Sequence, residues 1–202
     1  MPGLRLEGLA TDLIGPVSLD IAAGECVALM GPSGAGKSLL LRAIVDLDPG
    51  IGRVVVGDRA RNDMQASAWR RLVALVPAES GWWADRVGDH FPPGVETQRL
   101  IEVVGLAGSL EWEVSRLSTG ERQRLAIARA LCGKPDVLLL DEPTASLDED
   151  ATRRVEGLNR QCSEAGMAVL IVTHDQRQAD RLSGRVFRMT DGRVEPIPGV
   201  VP

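Results

Sequence analysis

The chain has 202 residues, 23 of them basic and 28 acidic, for a net charge of −5, and is 44% apolar and 25% charged. That is the make-up of an ordinary globular protein with room for one domain. The acidic balance excludes broad electrostatic binding to nucleic acid or to an anionic membrane surface. No apolar run reaches the roughly 18 residues needed to cross a bilayer, and the opening MPGLRLEG lacks the layout of a secretory leader. The sequence therefore predicts a cytosolic protein whose membrane contacts, if any, run through other chains. Cys26, Cys132 and Cys162 are scattered without metal or redox spacing, which predicts reduced, mostly buried thiols.

Taken in chain order, LRLEG and PVSLDI (Pro16 to Ile21) alternate as half-buried strands do. The turn Ala23-Gly24-Glu25 leads into CVALM (Cys26 to Met30), a continuous apolar run expected of a strand buried on both faces. After GPSGAGKS, the spacing of SLLLRAIV predicts a helix that DLDPG ends, and GRVVVGD and LVALVP read as two further strands. The signal from Arg86 to Arg116 is weaker: a Pro-Pro-Gly turn at 92–94, a helix near Glu96 to Val104, and a connection through Gly105 and Gly108. Then come a helix at GERQRLAIARALC, a buried strand at VLLLD (Val137 to Asp141), a helix from Glu149 to Ala165 and a buried strand at MAVLIVTH. A short helix (Asp175 to Leu182), the strand RVFRM, the turn Asp191-Gly192 and a Pro-rich tail close the chain. Such alternation implies an α/β architecture with a parallel sheet.

GPSGAGKS fits the pattern G-x-x-x-x-G-K-[ST], and it stands where that pattern must, after a buried strand and before a helix. Gly31, Gly34 and Gly36 let the backbone of Gly31, Pro32, Ser33, Gly34, Ala35, Gly36 and the residues up to Leu39 wrap a polyphosphate, so that its amide N–H groups, which Pro32 alone lacks, and the helix N-terminus supply partial positive charge. Lys37 would reach the β- and γ-phosphates, and the Ser38 hydroxyl would ligate Mg²⁺. Only Lys37 and Lys134 among the 23 basic residues are lysine. A compact ammonium is thus kept where the chain otherwise uses arginine. In VLLLDEP, Asp141 at a strand end can hold Mg²⁺, and Glu142 can polarise a water for attack on the γ-phosphate. His174 ends the next strand and would point to the same edge as a γ-phosphate contact.

LSTGERQR (Leu117 to Arg124) lies ahead of VLLLDEPTASLD. With it the chain resembles the ATP-binding cassette ATPases, the nucleotide-binding domains of ABC transporters. The P-loop, the signature LSTGE, VLLLDE, ASLD (Ala145 to Asp148) and His174 occur in the family's order, and the resemblance covers nearly the whole chain. It implies a P-loop NTPase with a mainly parallel core sheet, an N-terminal antiparallel β-subdomain and a short helical subdomain. It further implies one domain over 1–202, with a core from 1–77 and 125–202 and about 78–124 holding the loop after Pro77, the helical subdomain and the signature. A Ser-Thr-Gly helix start offers free N–H groups that need a phosphate. In the family that phosphate belongs to a second chain, so two ATP molecules are sandwiched in a dimer. Ser118 and Gly120 would then touch the partner's γ-phosphate, and Asp148 would help join the two sites. The implied partners are a second copy or a related ATPase, together with integral membrane subunits that keep the chain at the inner face of the membrane. The alternative in another class is a nucleotide-gated switch acting on soluble partners.

Three departures stand out. The signature is LSTGE rather than LSGGQ, so Glu121 brings an extra negative charge near a polyphosphate. Where the family has Pro-Gln after the strand, this chain has Pro77-Ala78, and Glu79 is one position on. Glu79 would take the Mg²⁺ role after a small backbone shift, or else be a solvated loop residue with water as the ligand. Beside it, Trp82 and Trp83 are expected to supply at least one partner contact, the alternative being core capping. Finally, no aromatic residue precedes Trp69, so Leu13 or Ile14 replaces the family's adenine-stacking ring. Since stacking on an aromatic contributes about 1–3 kcal/mol, ATP and GTP are expected to compete within about tenfold of each other in equilibrium binding. A larger preference for ATP would contradict this.

Overall fold

The chain begins with β1 (Leu4–Ala10) and β2 (Val17–Ile21), antiparallel strands whose buried and exposed residues alternate. β3 (Cys26–Met30) breaks that alternation, being buried over its first four residues, and starts a second sheet. α1 (Lys37–Ile44) follows, and β4 (Ile51–Val56) and β5 (Arg59–Ala60) return to the first sheet, giving the order β2-β1-β4-β5. Next are α2 (Ala66–Leu72), β6 (Val73–Val76), α3 (Val95–Val103) and α4 (Thr119–Cys132). The remaining elements are β7 (Val137–Asp141), α5 (Glu149–Glu164), β8 (Ala168–Val172), α6 (Gln176–Leu182), β9 (Arg185–Thr190) and β10 (Arg193–Pro196). This computed structural model describes residues 1–197; positions 198–202, the end of the expected Pro-rich tail, lie outside them.

The second sheet has the order β10-β9-β3-β8-β7-β6, parallel throughout except for the β9–β10 hairpin. Its central strands divide their side chains between two cores with the period of two that a pleated strand imposes. Val27 and Leu29, Val137 and Leu139, and Leu170 and Val172 face one core, shared with the antiparallel sheet and α1. Cys26 and Ala28, Leu138 and Leu140, and Val169 and Ile171 face the other, covered by residues of α3, α4, α5 and α6. A strand covered on both faces has no polar position, which is why these stretches read as unbroken apolar runs.

The three cysteines are free, and burial pushes the Cys26 thiol up to about 12 and that of Cys162 to about 11. Both therefore stay protonated near neutrality. α2 is too short for its periodicity to predict it: a two-turn helix with one buried side chain, Trp69, whose Nε1 donates to Ile44 O at 2.8 Å. β10 was likewise unforeseen. Between Pro77 and α4 the only α-helix is α3, accompanied by 3-10 turns at 87–90, 109–111 and 114–116.

Candidate functional site

Parallel strands end at a common edge, and here that edge collects the polar residues of the chain's motifs. Met30 ends β3 and the glycine-rich loop follows; Asp141 ends β7 and pairs in register with Val172 of β8, two residues before His174. Gly31, at φ +150, lies so close to β9 that a Cβ there would sit 2.2 Å from Met189 O, so no other residue fits. α1 starts without a side-chain cap, leaving its first N–H groups free for an anion. The Lys37 ammonium donates to Gly31 O at 2.8 Å and Pro32 O at 2.9 Å. Two of its three N–H groups thus brace the loop and one remains for a ligand, a task for a compact ammonium rather than a planar guanidinium.

A cavity of about 220 Å³ is lined by Ser33, Gly34, Gly36, Lys37, Ser38, Leu39, Asp141 and Glu142. Asp141 is 6% exposed. Burial pushes its carboxyl up, the Ser38 hydroxyl and Lys37 pull it down, and Glu142 adds repulsion. A desolvated carboxylate beside a hydroxyl is a hard-oxygen pair that suits Mg²⁺. Among the described residues no group of three or more His, Cys, Asp or Glu side chains is placed to hold a metal. The donor set thus fits an ion that takes its remaining ligands from phosphates and water. Glu142 has φ +46, a conformation that costs a non-glycine residue on the order of 1–3 kcal/mol. Its N–H is bonded to Val172 O at 2.9 Å, and its Oε2 lies 3.5 Å from His174 Nδ1.

Leu39 also lines a second cavity, of about 490 Å³, with Thr11, Asp12, Leu13 and Asp48. Leu13 is 73% exposed there, whereas Ile14 is buried in the first core. Of the two residues expected to replace the stacking ring, only Leu13 is accessible. The loop after β6 divides similarly. A cavity of about 400 Å³ joins Ser38 and Asp141 to Pro77 and Ser80, while Glu79 is exposed and lines neither this cavity nor the one around Lys37. Trp82 is half-buried against the second core and Trp83 is 74% exposed. His90 meets both indoles edge-on at 4.7 and 4.4 Å, and the Arg129 guanidinium lies over both rings at 4.6 and 4.8 Å. The joining of His90 and Arg129 to the tryptophans had no sequence signal, because it brings together three separate segments, residues 82–83, the turn at 87–90 and α4.

Ser118, Gly120 and Asp148 lie outside the cavity around Lys37. Ser118 caps α4 and forms a capping box with Glu121: its Oγ accepts from Glu121 N at 3.2 Å, and its N–H donates to Glu121 Oε2 at 2.8 Å. The spacing Ser-x-x-Glu ahead of an apolar helix is the sequence signal of such a box. The Glu121 carboxylate thus turns back on its own helix start, where it also accepts from the Ser118 hydroxyl at 2.9 Å, so the extra negative charge expected of Glu121 lies beside Ser118. Gly120 packs so tightly that a Cβ would come within 2.8 Å of Ser146 O, fastening the signature to the ASLD turn of the same chain. Asp148 caps α5 by accepting from Ala151 N at 2.8 Å.

With these features in place, comparison with known proteins finds that residues 14–145 match the family model described as ABC transporter. The chain belongs to the ABC transporter family. It is similar to the Fe(3+) ions import ATP-binding protein FbpC of Streptomyces avermitilis, 39% identical over 206 residues that cover 95% of this chain and 59% of that protein. It therefore spans about three fifths of that relative's length. It is 40% identical to the lipoprotein-releasing system ATP-binding protein LolD of Anaeromyxobacter dehalogenans, covering 96% of this chain and 91% of the other. Among solved structures, the ATP-binding cassette MJ0796, a dimer in a post-hydrolysis state bound to ADP and Pi, superposes with a TM-score of 0.82 at 25% identity. That match covers 97% of this chain and 99% of the other. The α/β P-loop fold of the family, with its antiparallel N-terminal sheet and mostly parallel core sheet, is the fold observed here.

The capping box sets a pH dependence within the family's signature. The Ser118 N–H holds the Glu121 carboxyl below its usual range, with the Ser118 hydroxyl, Arg124 and Arg116 adding to the effect against partial burial. A depressed carboxyl contributes stability that is present above its unfolded pKa and is lost as pH falls through the folded value. Glu121→Ala is therefore expected to cost about 0.5–1.5 kcal/mol at pH 7. In urea unfolding, the gap to wild type should narrow below about pH 4. A gap that did not change with pH would contradict the bond.

Proposed function

We propose that the chain is an ATP-binding and ATP-hydrolysing subunit that closes as a dimer around two nucleotides with Mg²⁺ and drives separately encoded membrane subunits. One observation carries the reading: Ser118 and Gly120, at a helix start suited to a phosphate, line no part of the chain's own phosphate cavity. A second copy, or a related ATPase, supplies the missing phosphate. The relative solved as a dimer with ADP and Pi supports that arrangement.

In this reading Lys37 and the backbone from Gly31 to Leu39 hold the phosphates. Ser38 and Asp141 would hold Mg²⁺, which when bound neutralises charge on the β- and γ-phosphate oxygens. Glu79 is the acidic donor nearest in sequence to the loop's missing glutamine and joins them only after that loop moves. Glu142 takes the proton of the attacking water, and His174, beside it, senses the γ-phosphate. Asp148 meets the second copy. The chain acts as one domain, with residues 78–124 presenting Trp83 to the membrane subunits. No described helix is long and apolar enough to cross a membrane, so attachment to the inner face of the membrane runs through those subunits. The relatives' names join one cassette to iron import and another to lipoprotein release, so the cargo is selected by the membrane partner.

Glu142→Gln keeps the shape of the side chain and removes the base. Turnover is expected to fall about 10²–10⁴-fold with ATP affinity unchanged, read from phosphate release and equilibrium nucleotide binding. An unchanged kcat would contradict the assignment.

A further inference from the structure

Beneath the turn that follows Glu142 lies a buried polar network that none of these roles uses. Gln178, on α6, is 1% exposed. Its Nε2 donates to Thr144 Oγ1 at 2.7 Å and lies 3.5 Å from Glu156 Oε1. Glu156, buried on α5, accepts two bonds from Arg181, at 3.0 Å from Nε and 2.6 Å from Nη2. A carboxylate held by a guanidinium fork has little freedom, and it accepts but cannot donate. The Gln178 amide must therefore present its NH₂ toward Glu156 and Thr144. Its own oxygen is left buried with no partner among the described residues. A leucine would fill the same space without that cost, so packing alone does not account for an amide here.

The amide's partner is well placed for a functional role. Thr144 is two residues beyond Glu142, inside a turn closed by Ala145 N to Glu142 O at 3.3 Å and Leu147 N to Thr144 O at 3.1 Å. Asp148, at the end of that turn, caps α5. On the other side, α6 begins directly after His174, with Asp175 as its cap. The turn thus meets the segment of His174 and α6 twice, by the 3.5 Å approach of His174 to Glu142 on the solvent side and by the Gln178–Thr144 bond in the interior. The buried bond is the one that fixes the turn to α6.

We propose that Gln178 is a positioning residue that ties the turn bearing Glu142 and Asp148 to the helix that follows His174. A displacement of His174 by the γ-phosphate then carries the base and the dimer-facing Asp148 with it, as one piece. The proposal rests on the roles given above to His174, Glu142 and Asp148. The two fail separately, since Glu142→Gln tests the base and substitutions at 178 and 144 test the tie.

The experiment is a double-mutant cycle on full-length protein, with Gln178→Leu, Thr144→Val and the pair assayed for kcat, ATP KM and thermal midpoint. Each single change is expected to lower kcat roughly tenfold, with KM within about twofold. The pair should lose no more than either single change, because both remove the same bond. Thr144→Ser, which keeps the hydroxyl, should retain wild-type turnover, and it carries the test with Thr144→Val if Gln178→Leu does not fold. Folded variants with kcat within twofold of wild type, or losses that multiply in the pair, would overturn the proposal.

Discussion

The whole arrangement depends on strands that are covered on both faces. β3, β7 and β8 have no side of their own that meets water, so polar function can enter only at their ends. Because the strands are parallel, those ends coincide, and the glycine-rich loop, the Asp141–Glu142 pair and His174 arrive at one edge from three separate stretches of the sequence. The loop there is itself held by the sheet: Met189 O of β9 leaves no room for a side chain at Gly31, and the Lys37 ammonium is bonded to two loop carbonyls. The phosphate cradle is thus largely formed in the chain alone, which limits the ordering that binding must bring about.

The other half of the machinery is also formed, yet it lies elsewhere. Ser118 and Glu121 complete a capping box, and Gly120 is fitted against the carbonyl of Ser146. The packing of Gly120 sets the signature against the turn that bears Asp148, so the surface proposed to meet a second nucleotide continues the loop after Glu142. The buried Gln178–Thr144 bond belongs to the same connected piece. In the proposed reading, a chain built this way holds two half-sites that a second chain completes.

Most of this was legible in the residues. Unbroken apolar runs marked the doubly covered strands, glycine spacing marked the cradle, and the order of the motifs marked the family. What escaped was local or distributed. α2 has too few turns for its periodicity to register, and its one buried side chain, Trp69, is held by a bond to a carbonyl in another element. Ile14 and Leu13 are neighbours of similar chemistry, and only the fold decides that one is core and the other faces a cavity. Trp82 and Trp83 are adjacent and identical in chemistry, yet the structure buries the first in part and exposes the second. Gln178 carried no signal at all, because its partners come from α5 and the turn after β7.

The central claim is that this chain is half of each of two active sites. Sedimentation of the Glu142→Gln protein, in which bound ATP persists, tests it most directly. With saturating ATP and Mg²⁺ the expected species has twice the monomer mass, and it reverts to monomer when ADP replaces ATP. A monomer at every nucleotide condition would contradict the account.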